Sequence, residues 1–282
     1  MLCLGGLKGS IMDFVPDCDL AHEQVYSDRF NTYSSAYVIT NEDLRASMRF
    51  VPEKCENALV VASSGDHPLF CSLYGAKHVD TFDISYNAKC MMDIKVAALN
   101  CLSWSDYKCF LDDLYMSCRL FPSNTKKITD VKNIDKILDS LPKIESDYIY
   151  LLRNAPLFSL GPRPREVSIL PKFNEYCELG KKSIQPYDFL LTNIYELGGL
   201  LTKSYDFMHL SNIFDYVLKD DYERIILSLA KRLNPKGRIV TETFEDDSSF
   251  SMWNTVQRIA NMHNNSFSFK RSRHLYILER VR

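Results

Sequence analysis

ALVVASSGDHPLFCSLYGAKHVDTFDIS, Ala58 to Ser85, decides how this chain folds. Ala58–Ala62 is a continuous apolar run of five, the length and character of a strand buried on both faces. Ser63-Ser64-Gly65-Asp66 are turn formers. Pro68 to Tyr74 then reads as a helix, with Pro68 in the first turn, where a missing N–H costs nothing. Gly75 ends that helix, and His78–Phe82 is a second short strand with Asp83 at its carboxyl end. Strand, turn, helix and strand in this order open a parallel sheet.

Outward from this unit the same alternation continues. Upstream, NEDLRASMRF (Asn41–Phe50) reads as a short helix capped by Asn41. Downstream, Asn87 to Cys101 is an amphipathic helix whose Met91, Ile94, Ala98 and Leu99 share a face. Residues 105–186 carry helical segments, a loop through GPRPREVSILP and no clear strand. They are too long for a simple crossover and read as a helical insertion or lid. Strands resume at Asp188–Thr192, Tyr205–Leu210 and Arg238–Phe244, with a helix over Asp220–Leu233 and a turn at Pro235-Lys236-Gly237. The terminal SFSFKRSRHLYILER reads as a hairpin. The expected architecture is an α/β sandwich around a mainly parallel sheet. Its parts are an N-terminal helical cap (1–52), the first half of a cofactor-binding domain (53–104), the insertion (105–186) and the second half (187–282).

Composition sets limits on function. The chain has 282 residues, 46% of them hydrophobic and 25% charged, which is the balance of a folded globular protein. A net charge of −2 supplies no global basic field, so nucleic acid is not an expected partner. The nine cysteines form no CxxC pair and several sit in apolar runs, as expected of reduced, buried, cytoplasmic thiols. No paired Cys or His spacing suggests a metal. The opening MLCLGGLKGSIMDF lacks a basic export-signal start, and no run of 18 apolar residues could span a bilayer.

In open α/β sheets, ligands bind at the carboxyl ends of the strands where strand order reverses. Gly65 to Asp83 is 18 residues, near the ~20 at which an acidic side chain meets a ribose diol. A dinucleotide would need more glycines in the first turn, so that its pyrophosphate can approach the helix backbone. Here the turn holds one glycine and Asp66, whose charge would repel a pyrophosphate. It suits instead a cation lying across the turn. S-adenosylmethionine meets these demands with an adenosine, a sulfonium, an ammonium and no phosphate, and is expected in preference to a nicotinamide dinucleotide.

These residues resemble a known family. SSGDHPL (63–69) is similar to the SAGCNAL-type loop of the DUF3419 family, which includes the S-adenosylmethionine:diacylglycerol 3-amino-3-carboxypropyl transferases of betaine-lipid synthesis. DISYNAKCMMDIKVAAL (83–99) is similar, without gaps, to that family's segment of the type DLNPAQNALLELKLAAI. YDFMHLSNIFDYV and the helix and strand after it resemble the block beginning near FSLSDIFDW. The resemblance covers roughly 58–115 and 187–245. It implies a class I methyltransferase-like Rossmann sandwich: a seven-stranded, mainly parallel sheet closed by an antiparallel hairpin. It places Ser63, Ser64, Gly65 and Asp66 against the methionine part of the cofactor, and Asp83 and Ile84 at the ribose and adenine. Asn193 would read the adenine edge or cap the next turn. Ser211 and Asn212 fall where the transferred group would lie, and Asp215, one turn on, could serve as a base; all three equally suit a helix start. His67 could deprotonate an acceptor or simply be solvated.

The chain departs from the family at its N-terminal YxQxWED pattern, only faintly echoed in TYSSAYVITNED (32–43) without the tryptophan. Tyr33 and Tyr37 either line the cofactor mouth or pack inside. Diacylglycerol is therefore not carried over as acceptor; a small amine or alcohol is expected. Arg163 and Arg165 could clamp a carboxylate, and the basic KRSRH (270–274) could touch anionic headgroups in a peripheral lipid contact or guard a sheet edge. The expected activity is transfer, or intramolecular cyclisation, of the 3-amino-3-carboxypropyl group with release of methylthioadenosine. Methyl transfer to a small molecule is the alternative; a cofactor-binding protein without catalysis and a nicotinamide-dependent reductase stand further out.

Overall fold

The computed structural model describes residues 39–40, 42–117, 131–143, 172–181, 187–243, 263–264, 267–269 and 273–280. Tyr33, Tyr37, Asn41, Arg163, Arg165 and 270–272 lie outside them. The strands are β1 (Asn57–Val61), β2 (His78–Asp83), β3 (Asp188–Leu191), β4 (Tyr205–His209), β5 (Leu233–Thr243), β6 (His263–Asn264), β7 (Phe267–Phe269) and β8 (Arg273–Glu279). They form one sheet in the order β3-β2-β1-β4-β5-β8-β6, with β7 also pairing β8. β1 to β5 are parallel, and β8 runs antiparallel to β5, β6 and β7. With β6 and β7 sharing one flank of β8, the fold is the class I methyltransferase-like one expected from the sequence.

β1 sits at the centre and explains the apolar run that betrayed it. Leu59 and Val61 face one side, packed with Leu197, Leu201, Ile225, Ile226 and Leu229. Ala58 and Val60 face the other, packed with Leu44, Met48, Phe70 and Cys71. Both faces are covered by helices, so none of Ala58 to Val61 is free to be polar. The helices involved are α1 (Leu44–Met48) and α2 (Asp66–Leu73) on one side, with α7 (Ile194–Leu200) and α8 (Tyr222–Ala230) on the other.

The insertion contributes α4 (Trp104–Ser117), α5 (Ile134–Leu138) and α6 (Phe173–Lys181). Tyr107, Phe110, Leu114, Ile134, Ile137 and Leu179 from these segments pack with Met91, Ile94, Ala98 and Leu99 of α3 (Tyr86–Cys101). The predicted apolar face of α3 is thus covered by the insertion. Arg45 on α1 and Glu175 on α6 add an ion pair, with Nη2 to Oε2 at 2.7 Å.

Local signals account for most element ends. Asp43, rather than Asn41, caps α1: its carboxylate accepts the Ala46 N–H at 3.2 Å. α2 begins at Asp66, two residues before Pro68, and closes in a Schellman motif. There the Ala76 N–H bonds Cys71 O and the Gly75 N–H bonds Ser72 O, with Gly75 at φ 109°. The expected turn at 235–237 is absorbed into β5, with Lys236 at φ 65° and a register shift against β4. Among the described residues no helix is long and apolar enough to cross a membrane.

Gly65 has a structural purpose that its place in the turn only hinted at. It adopts φ 81°, and a Cβ there would lie 2.7 Å from the Cα of Met92 on α3. The bare backbone lets α3 press against the first turn. Gly65→Ala is expected to cost more than about 2 kcal/mol, since the left-handed backbone alone costs about 1–2 kcal/mol and the clash is with main chain. Urea unfolding of the variant measures it.

Candidate functional site

A cavity of about 270 Å³ opens at the carboxyl ends of β1, β2, β3 and β4, on the switch point of the sheet. Its floor is apolar near β2 and β3, with Phe82, Ile84, Ala88 and Ile194. Polar groups come from the strand ends: Ser63 after β1, Asp83 ending β2, Asn193 after β3, Ser211 and Asn212 after β4. Tyr195 and Tyr216, both partly exposed, stand at its edge. None of the described insertion residues lines it.

Asp83 is held by the backbone around it. Its Oδ2 accepts the Ser63 N–H at 2.9 Å and its Oδ1 accepts the Ser85 N–H at 3.0 Å. Burial raises its pKa above the usual value, opposed by the N–H groups of Ser85, Ser63 and Ile84. A carboxylate oxygen has more than one acceptor direction, so this group is oriented and can still take hydrogen bonds from a ligand. Two non-glycine residues flank the site with left-handed backbones, Ser63 at φ 48° and Ser211 at φ 55°. Each costs energy that only the surrounding structure repays. The first aims its N–H at Asp83, and the second aims its own at Nδ1 of His209, 3.2 Å away.

Asp66 corrects the sequence reading. Its carboxylate turns inward, away from the cavity, and accepts from Thr40 N at 2.9 Å, Ser64 Oγ at 2.7 Å and Lys95 Nζ at 2.6 Å. Lys95, fully buried on α3, has its pKa lowered by burial while Asp66 pulls the other way. The turn aspartate is therefore neutralised from within the protein, and Ser64, spent on it, is off the cavity wall as well. His67 is neither solvated nor at the cavity. It is completely buried, with Nε2 3.0 Å from Glu42 Oε2. Helix α2 carries both side chains into the core because it starts at Asp66.

The remaining expected residues divide. Ser63, Asp83, Ile84, Asn193, Ser211 and Asn212 meet at the cavity, although they are spread over 150 residues of sequence. Asn193 lines the cavity and caps α7, its Oδ1 accepting the Glu196 N–H at 3.1 Å. Asp215 lies off the wall on a short 3-10 helix (Ile213–Tyr216), where its Oδ2 accepts from Asn212 Nδ2 at 3.2 Å. Gly65 supports the turn from behind.

Sequence reasoning did not single out Glu42, His209 or Lys95, three buried polar side chains. Lys95 had a visible signal, a lone charge between Ile94 and Val96 on an apolar helix. His209 sits in an apolar strand, while Glu42 looked like a helix-start acid. Glu42 is buried, and its two oxygens take His67 Nε2 and the Ser211 hydroxyl. Burial would raise its pKa, but His67, His209 and the Ser211 hydrogen bond outweigh that and hold it well below the usual carboxylate range. His209 is pushed down to about 3 by burial and by His67, with Glu42 opposing.

A comparison with protein-family models and with curated proteins finds no match. Among solved structures, the chain is similar to a ribosomal protein L11 methylase from Lactobacillus delbrueckii subsp. bulgaricus. That likeness has 10% identity and a TM-score of 0.44, covering 85% of this chain and 77% of that one. A putative methyltransferase from Streptococcus mutans in complex with S-adenosylhomocysteine aligns at 11% identity and TM-score 0.42, covering 86% and 100%. The N-methyltransferase NodS from Bradyrhizobium japonicum WM9, in the same kind of complex, aligns at 10% and 0.38, covering 80% and 78%. The strand order and registers, not these distant likenesses, define the fold.

Two outcomes are expected of the buried charges. Lys95→Met strands Asp66 and should cost about 3–5 kcal/mol, and adding Asp66→Asn should recover more than about 1 kcal/mol of it in urea unfolding. The His209 pKa is depressed on folding, so between about 6.5 and 3 the unfolded chain binds a proton that the folded one does not. Stability should fall as pH drops through that window, by up to about 1.4 kcal/mol per unit from this group, and His209→Asn should flatten the slope.

Proposed function

We propose that the protein is an S-adenosylmethionine-dependent transferase. The observation that carries this reading is Asp83, a carboxylate fixed by two backbone N–H groups on the wall of an apolar cavity at the sheet's switch point. That group suits a ribose diol, the apolar floor beside it suits an adenine, and among the described residues no cluster of lysines or arginines lines the cavity to hold phosphates. Ile84 and Ile194 would sandwich the base, Asn193 would meet its edge, and Ser63 and Ser211 would face the amino-acid end. The cofactor, when bound, supplies a sulfonium whose attached carbons are electrophilic. The chain's own residues then orient one carbon towards an acceptor and exclude water, which is where most of the rate comes from in such transfers.

The finer reading is transfer of the 3-amino-3-carboxypropyl group to a small amine or alcohol. It is supported by the resemblance of 63–69 and 83–99 to the DUF3419 family. Asn212, on the wall and bonded to Asp215, is the residue best placed to touch the acceptor. Two solved structures similar in overall fold are, by description, complexes with S-adenosylhomocysteine. That is compatible with methyl transfer, the second reading.

The nucleoside released separates the two. Incubation with S-adenosylmethionine and candidate amines should yield methylthioadenosine; S-adenosylhomocysteine as sole product would move the assignment to methyl transfer. Asp83→Asn keeps an acceptor for the local N–H groups but loses the charge. It should weaken cofactor binding by about ten- to a hundredfold, the worth of one charged hydrogen bond of about 1.5–3 kcal/mol. Unchanged affinity in calorimetry would remove Asp83 from the site.

A further inference from the structure

Glu42 and its neighbours behind Ser211 are not used by the reading above. Glu42, His67 and His209 each bring an oxygen or nitrogen within 4.8 Å of the others, and their ring centroids, His67 to His209, are 5.1 Å apart. All three are buried, and two ring atoms, His67 Nδ1 and His209 Nε2, have no hydrogen-bond partner among the described residues. The hydrogen positions follow from the contacts. His209 Nδ1 accepts the Ser211 N–H, so the neutral ring carries its hydrogen on Nε2. An ionised Glu42 can only accept, so the His67 ring donates to it from Nε2. A metal ion is disfavoured by the same accounting, because the His209 lone pair is already committed and both Glu42 oxygens are taken.

Among the described residues no lysine or arginine bonds Glu42, whose partners are His67 Nε2 and the Ser211 hydroxyl. Asp66, by contrast, has Lys95. Buried charges need a partner, and Glu42 is one hydroxyl removed from the cavity, since Ser211 both bonds it and lines the wall. The direction is set by strand order. With adenine over β3 and β2 and ribose at Asp83, the rest of a bound ligand runs towards β1 and β4, where Ser63 and Ser211 stand.

We infer that Glu42, held behind Ser211, is the charge that selects a cationic sulfur in the cavity. This rests on the cofactor reading above and adds a residue to it. Electrostatic attraction across a hydroxyl in a low-dielectric wall is large enough to shift affinity roughly tenfold or more. It is a positioning and selectivity role, with no bond made or broken at Glu42.

S-adenosylmethionine and S-adenosylhomocysteine provide the test, because they share adenosine, ammonium and carboxylate and differ in the methyl and charge on sulfur. Binding of both is measured by calorimetry on the full chain. The wild type should prefer the sulfonium by about tenfold or more. Glu42→Gln should lose most of that preference while its affinity for S-adenosylhomocysteine moves less than about threefold, and Glu42→Asp, which keeps the charge, should retain most of it. Equal weakening of both ligands in Glu42→Gln, an unchanged preference, or a wild type favouring S-adenosylhomocysteine would overturn the inference. So would stoichiometric first-row metal in the purified protein, since coordination would neutralise the carboxylate. Should Glu42→Gln not fold, the wild-type preference and Glu42→Asp still decide it. A wild type that binds neither compound sinks the cofactor reading itself, which is a different failure.

Discussion

The buried pair of Asp66 and Lys95 governs the architecture around the cavity. One carboxylate, accepting from Lys95 on α3, Ser64 in the turn and Thr40 in the N-terminal segment, ties three separate stretches of chain to one point. A charge pair out of water is tolerated only when its remaining lone pairs are satisfied, and here they are. Because the pair is internal, the first turn presents backbone rather than charge to a ligand. The approach of α3 that brings Lys95 into reach depends in turn on Gly65 having no side chain.

From that point the site is built by strand ends. Parallel strands of a doubly wound sheet all finish on one edge, so residues far apart in sequence converge without any local motif. Asp83 is oriented by the strained Ser63, and Ser211, strained likewise, links the wall to Glu42. Two carboxylates stand close to the cavity, Asp83 on the wall and Glu42 one hydroxyl behind it. Asp66, the obvious candidate by position, is excluded by a lysine that only folding brings near.

The insertion is best understood through α3. A helix buried on its sheet side and apolar on the other requires a cover, and α4, α5 and α6 provide it among the described residues. The extra segment thus completes a hydrophobic layer on the flank of the sheet rather than forming part of the described cavity wall.

Sequence alone determined what depends on neighbours along the chain. The apolar run at 58–62, the turn formers after it, Gly75 and the spacing to Asp83 specified the strand–turn–helix–strand unit, because backbone preference and burial on both faces leave a local imprint. Cap positions were legible to within a couple of residues, as Asp43 against Asn41 shows. The orientation of side chains in the turn was not legible. Starting α2 at Asp66 rather than Pro68 rotates Asp66 and His67 into the core, and nothing local distinguishes those starts. Which acid meets a lysine and which meets a histidine and a hydroxyl was decided only by tertiary structure, since those partners lie 25 to 169 residues away.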